Sequence, residues 1–240
     1  MEDSMAELRE MMAKLGIEPT TEYEYISEGM IRIEVDGKKG FKNTDGQIVI
    51  EPVYDWAGTF DEGLAVDKKD GHFSFIDKSG DVVVELGAKY RHVSYFSEGL
   101  AEFSMDVVCE CCETRIGIRH GFLDKEGNVV IKPLKWTHAF AFSEGLAAVR
   151  RDTTEHKWSY IDKSGDVVFT LGCDHTGYFT DGYASFRING QNGLVDKSGN
   201  IVVEPGDFNI HYNDEEEHTG LPQGWYKICD GEWERISSDE

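Results

Sequence analysis

The sequence predicts an all-β fold of tandem units about 34 residues long, built from β-hairpins and joined into a propeller-like ring or a curved array. Two short patterns, each occurring five times and interleaved, carry that expectation. The first is an aromatic or aliphatic residue, then Ser, Thr or Asp, an acid and Gly: Ile26-Ser-Glu-Gly-Met30, Phe60-Asp-Glu-Gly-Leu64, Phe96-Ser-Glu-Gly-Leu100, Phe142-Ser-Glu-Gly-Leu146 and Phe179-Thr-Asp-Gly-Tyr183. The second is a four-residue turn ending in Gly: Asn43-Thr-Asp-Gly46, Asp77-Lys-Ser-Gly80, Asp124-Lys-Glu-Gly127, Asp162-Lys-Ser-Gly165 and Asp196-Lys-Ser-Gly199. From the first Gly to the turn Gly the steps are 17, 17, 28, 20 and 17 residues, so the third copy carries an insertion near 104–118.

Each unit resolves into short strands. After the turn comes a β-branched burst, for example Ile48-Val-Ile-Glu-Pro52 and Val82-Val-Val-Glu-Leu86, of the kind that fits a pleated, half-buried surface. Asp at the first turn position accepts backbone N–H bonds and Gly at the fourth supplies positive φ, the chemistry of a type I turn with a following bulge. Proline after the burst is expected to end the pairing, because it has no N–H to donate. The acid of the first pattern, Glu28, Glu62, Glu98, Glu144 or Asp181, is expected to accept its own turn's N–H groups, and a cation-attracting band of carboxylates is the functional alternative.

The ends differ from the middle. Ser4 to Leu15 places Met5, Leu8, Met12 and Leu15 on one helical face, with Ser4 and Glu7 as a capping box and Gly16 as a stop. Residues 1–20 are therefore expected to form a short amphipathic helix and linker, 21–236 the repeat domain of five units and a terminal half-unit, and 237–240 a tail. Between ring and open array the arrangement of the ends favours the ring, with both alternatives open.

The order Phe-Ser-Glu-Gly-Leu-Ala-x-Val, aromatic-Gly-Phe/Tyr-Ile-Asp-Lys-Ser-Gly, Val-Val-Ile-x-Pro resembles the WG-repeat β proteins of bacteria, over about Glu22 to Arg235. The positions matching the Trp-Gly pair read Lys39-Gly40, Phe73-Ser74, His120-Gly121, Trp158-Ser159 and Asn192-Gly193. The resemblance implies an all-β repeat scaffold used for interaction or binding, with no shared catalytic activity.

Charge and composition narrow the function. With 24 Lys and Arg against 46 Asp and Glu the chain has a formal charge of −22, which excludes a basic nucleic-acid scaffold and disfavours anionic membrane surfaces. No secretory signal or membrane-spanning apolar run is visible, so a cytoplasmic protein is expected. The histidines read as scattered, and no nucleophile elbow, phosphate loop or calcium loop is present, so no catalytic residue is assigned. The functional expectation is a non-catalytic module that binds a protein with a basic surface and needs no cofactor, an immunity-type inhibitor of a basic bacterial toxin being one concrete version. The acidic run Asp214, Glu215, Glu216 and Glu217 is its candidate partner-binding segment. The alternative is a zinc-binding or enzymatic protein using Cys109, Cys111 and Cys112 of the insertion with His120, since thiolates and imidazole are zinc ligands. Against zinc, the Cys-x-Cys-Cys spacing is not that of a knuckle, and packing at a hairpin tip is the plainer role.

Overall fold

The computed structural model describes residues 26–108, 111, 114–151, 157–214, 223–229 and 232–236. They form β-strands and turns only, in six small antiparallel sheets, one per repeat unit. Sheet 1 holds β1 (Ile26–Ser27), β2 (Met30–Val35), β3 (Lys38–Asn43) and β4 (Ile48–Tyr54). Sheet 2 holds β5 (Trp56–Asp61), β6 (Leu64–Lys69), β7 (His72–Ile76) and β8 (Val82–Gly87). Sheet 3 holds β9 (Tyr90–Ser97), β10 (Leu100–Val108), β11 (Arg115–Leu123) and β12 (Val129–Trp136). Sheet 4 holds β13 (His138–Ala139), β14 (Ala147–Arg150), β15 (Trp158–Ile161) and β16 (Val167–Leu171). Sheet 5 holds β17 (His175–Thr176), β18 (Tyr183–Ile188), β19 (Gln191–Asp196) and β20 (Ile201–Gly206), and sheet 6 the three strands β21 (Asn209–Asn213), β22 (Gly224–Cys229) and β23 (Glu232–Arg235). Every sheet is a meander in chain order. The helix expected over 4–15 and the tail 237–240 lie outside the described residues. The third-copy insertion lengthens β10 and β11 to nine residues each, so it extends a hairpin.

The two patterns are the turns. The Asp-x-x-Gly turn closes as its chemistry predicts: in 77–80, Gly80 N–H donates to Asp77 O at 3.0 Å while Asp77 Oδ1 accepts from the amides of Ser79 and Asp81 at 2.8 and 3.0 Å. The acid-Gly pair of the first pattern is a two-residue hairpin loop with positive φ at both residues, 53° and 88° at Glu62 and Gly63, which marks a primed turn. Glutamate is an uncommon occupant of that conformation, and the contact that rewards it lies in the next sheet.

Proline does not end the fourth strand. Pro52 and Pro133 lie inside β4 and β12, and Pro205 inside β20. In each, pairing skips and resumes: Phe41 pairs with Ile50 and Lys39 with Tyr54, Phe122 with Ile131 and His120 with Trp136, Leu194 with Val203 and Asn192 with Gly206. A bulge on an edge strand tolerates the missing N–H, which corrects the sequence expectation.

The core sits between successive sheets. Met30, Phe41, Ile50 and Tyr54 of sheet 1 pack on Ala57, Phe60, Ala65 and Ile76 of sheet 2, and equivalent clusters join sheets 2 to 3, 3 to 4 and 4 to 5. The centre of each is an aromatic pair between the third strand of one unit and the first-pattern Phe of the next. Phe41–Phe60, Phe75–Phe96, Phe122–Phe142 and Tyr160–Phe179 have ring centroids 4.8, 4.7, 4.8 and 4.8 Å apart. Such tilted or edge-on pairs add about 0.5–1.5 kcal/mol each beyond the area they bury.

A polar clasp repeats at the same interfaces. Glu28, Glu62, Glu98 and Glu144 each accept the amide of the first-pattern Gly of the following unit, Gly63, Gly99, Gly145 and Gly182, at 3.1, 3.0, 2.9 and 3.0 Å. The turn lysine of that following unit, Lys78, Lys125, Lys163 or Lys197, closes on the same carboxylate at 3.0, 3.0, 3.2 and 2.8 Å. The acids therefore satisfy the neighbouring turn's amide rather than their own, and they are committed to joining units.

Candidate functional site

Most of the molecule is repeated, so departures from the repeat stand out. The residue two places after the Leu or its counterpart in the first pattern is Arg32, Val66, Ala148 or Ser185 in units 1, 2, 4 and 5, and Glu102 in unit 3. Glu102 is 6% exposed, at the interface of sheets 3 and 4. Burial of a carboxylate is costly without a partner. Its Oε1 lies 2.6 Å from Nδ1 of His120, which occupies the Trp position of unit 3. The pair faces further polar groups. The His120 ring stacks on His138 at 6.2 Å and 9°, and His138 pairs in register with Arg150, whose Nη2 is 3.3 Å from both of its ring nitrogens. The Arg150 guanidinium lies 5.1 Å over Trp158, Trp158 stacks on Phe140 at 5.2 Å, and Phe140 meets Tyr178 of sheet 5 at 5.3 Å.

Tyr178 closes the circuit. Burial, the charge and hydrogen bond of Tyr95, and the charge of Glu102 push its phenol up to about 12. Tyr95 belongs to β9 of sheet 3 and Tyr178 lies just after β17 of sheet 5, so this pair links unit 3 to the unit two further on. The circuit thus joins three sheets. It offers an imidazole oriented by a carboxylate, a guanidinium held over an indole, and two phenols, with His138, Tyr95 and Tyr178 exposed to solvent. These groups can bind and orient a polar ligand.

The residues assigned from sequence are distributed differently. Cys109, Cys112, Glu215, Glu216 and Glu217 lie outside the described residues. Cys111 is exposed at the tip of the β10–β11 hairpin, beyond the last pair Val108–Arg115. His120 pairs with Ser104, five residues down β11 from that end, or roughly 16 Å along the strand. The structure therefore does not bring Cys111 and His120 together, and the described residues contain no group of three or more His, Cys, Asp or Glu placed to hold a metal ion. Asp214 is exposed immediately after β21. Cys173 is buried, and burial together with the Asp174 charge pushes its thiol up to about 12, far from a reactive thiolate.

Sequence reasoning missed Glu102, His138, Arg150 and Tyr178. Alignment on the first-pattern aromatic reveals a signal: the residue four places before it is Trp56, His92, His138 and His175 in units 2 to 5. Three histidines that look scattered thus hold one structural position, at the start or within the first strand of their sheets.

The profile of the family described as "WG containing repeat" matches residues 40–71, 73–106, 121–152 and 158–191, more than half of the chain. The chain belongs to that family. The matched segments lie in sheets 1 to 5 of this WG-repeat protein, and each begins on a residue of the Trp-Gly position. No curated protein sequence matches the chain directly. Among solved structures it is similar to Hsv2 of Kluyveromyces lactis, with a TM-score of 0.53 and 8% identity over 88% of this chain and 72% of that one. It is also similar to Hsv2 of Kluyvelomyces marxianus, at a TM-score of 0.51 and 8% identity over 89% and 70%. A structure described as the eukaryotic initiation factor gives a TM-score of 0.50 and 14% identity, over 79% of this chain and 56% of that one. At such identities the likeness is one of fold.

Proposed function

We propose that this WG-repeat protein is a non-catalytic protein-binding module whose partner presents a basic surface, a cytoplasmic inhibitor of a basic toxin being one such arrangement. The observation that carries this reading is repeated on every four-stranded sheet. The last strand lies at the sheet edge and opens with two exposed aliphatic residues: Ile48-Val49, Val82-Val83, Val129-Val130, Val167-Val168 and Ile201-Val202, all 41–52% exposed. An unpaired strand edge bearing apolar side chains is a template for partner strands and is ordinarily blunted by charge. Here five copies recur in register, a periodic surface suited to a partner that touches several units at once. The formal charge of −22 supports a basic partner, drawn in from a distance.

The test starts with the protein that co-purifies stoichiometrically from native cells. Exchanging Val83 and Val168 for Lys is expected to weaken that complex at least tenfold while leaving the melting temperature within a few degrees, because both side chains already face solvent. Its association rate is expected to fall as salt rises through about 0.1 M. Unchanged affinity of the double variant, or the lack of any stoichiometric protein partner, would overturn the reading.

A further inference from the structure

The repeat makes Glu102 conspicuous, because units 1, 2, 4 and 5 fill its place without an acid and fold. A buried carboxylate there contributes nothing to packing that Val66 does not contribute in unit 2. What it adds is orientation: with Oε1 2.6 Å from Nδ1 of His120, it holds the imidazole in one setting against His138. Arg150 is held between His138, 3.3 Å from its Nη2, and Trp158, 5.1 Å from its guanidinium carbon, so its donors are placed before any ligand arrives.

Donors of this kind, gathered around one guanidinium, recognise an oxyanion. The sequence that carries His120, His138 and Arg150 is comparatively cationic: residues 114–158 hold eight of the 24 Lys and Arg but only five of the 46 Asp and Glu.

We propose that Arg150, His138 and His120 form a binding site for a small oxyanion, a carboxylate or phosphate group, with Glu102 as the residue that positions His120. The site lies between sheets 3 and 4 and is independent of the outer-edge surface.

The experiment is calorimetric titration of the full chain with inorganic phosphate and, separately, with acetate. Saturable binding of phosphate is expected, and binding of acetate as well would assign a general carboxylate-and-phosphate site, whereas phosphate alone would assign a phosphate site. Arg150→Gln is expected to weaken binding at least tenfold. Lys68→Gln removes the same charge at the same place in unit 2, where Lys68 lies 4.7 Å over Phe73, and is expected to leave binding unchanged. Glu102→Val, which installs the unit 2 residue, is expected to keep the melting temperature while weakening binding several-fold, an outcome that a purely structural Glu102 would not give. Absence of saturable binding by both anions, or equal effects of Arg150→Gln and Lys68→Gln, would overturn the proposal. So would a Glu102→Val protein that melts early yet binds phosphate like the wild type.

Discussion

A Cβ added at Gly121 would lie 2.4 Å from the carbonyl oxygen of Ile131 and 2.7 Å from the ring of Phe103, distances that no side chain occupies without movement of the backbone. The same holds at Gly40 against Ile50 O, 2.5 Å, and at Gly193 against Val203 O, 2.8 Å. In each of these units the fourth strand carries Pro52, Pro133 or Pro205 and bulges toward the glycine. Units 2 and 4 have Ser74 and Ser159 instead, and there the fourth strand has Leu86 and Leu171 in place of proline. Glycine and proline therefore travel together, one making room for the bulge that the other requires. Gly121→Ala is expected to cost about 3 kcal/mol in chemical denaturation, and Ser159→Gly about 1–2 kcal/mol, through added chain entropy and loss of the 2.9 Å hydrogen bond between the Ser159 and Thr170 hydroxyls. A second residue departs from its equivalents at some expense. Asp67, 1% exposed, faces Ser74 where unit 4 sets Val149 against Ser159, and its Oδ2 has no hydrogen-bond partner among the described residues. Burial, only partly offset by Ser74, pushes its carboxyl up to about 6 from the 3.8 of a free aspartate. Since the folded-state value is the higher one, the group costs stability above about pH 6 and the cost is relieved as pH falls toward 3.8. Asp67→Val is expected to raise stability at pH 7 by about 1–3 kcal/mol and to abolish that part of the pH dependence, measured by urea unfolding at pH 7 and 5.

At the scale of elements, the hairpins were legible because their turn chemistry is local. Asp77 and Asp162 hold the amides two and four residues on, and those bonds follow from residue type and spacing alone. The clasp was not legible. Glu62 sits in a turn that Asp or Asn would form with less strain, and the reason for its longer side chain is Gly99, 37 residues away. Proline in the fourth strands was misjudged for a related reason, since its effect depends on whether the facing residue is Gly40 or Ser74. Lys78 and the amide of Gly63 hold the Glu28 carboxyl below its ordinary range against a modest burial effect. At Glu62 and Glu144 burial acts upward, and Lys125 with Gly99, or Lys197 with Gly182, outweighs it. Because these folded-state values are lowered, the clasps contribute stability above the ordinary 4.5 of glutamate and lose it as pH falls through the lower folded values. Stability is thus expected to climb slightly from pH 7 to 5 as Asp67 protonates and then to drop below pH 4.5, with Glu62→Gln flattening the drop and costing about 1 kcal/mol at pH 7.

At the scale of the whole molecule, aromatic pairs and clasps repeated between successive sheets make sheets 1 to 5 one cooperative body rather than independent hairpins. Tandem architecture and unit boundaries were present in the sequence as periodicity. The circuit around Glu102 was not, because it is assembled from residues 95, 102, 120, 138, 150 and 178 of three sheets, and only superposition of units on the first-pattern Phe shows that Glu102 has no acidic counterpart in units 1, 2, 4 and 5. Sheet-to-sheet coupling can be measured at the amides that report it. Native-state hydrogen exchange of Gly63, Gly99, Gly145 and Gly182 monitors the clasps one by one, since each amide donates to a glutamate of the preceding sheet. All four are expected to exchange only with global unfolding in the wild type, and Glu62→Ala is expected to accelerate Gly99 selectively while lowering the stability of the whole. Rapid exchange of these glycines in the intact protein, or a Glu62→Ala variant in which Gly99 remains as protected as before, would contradict this coupling.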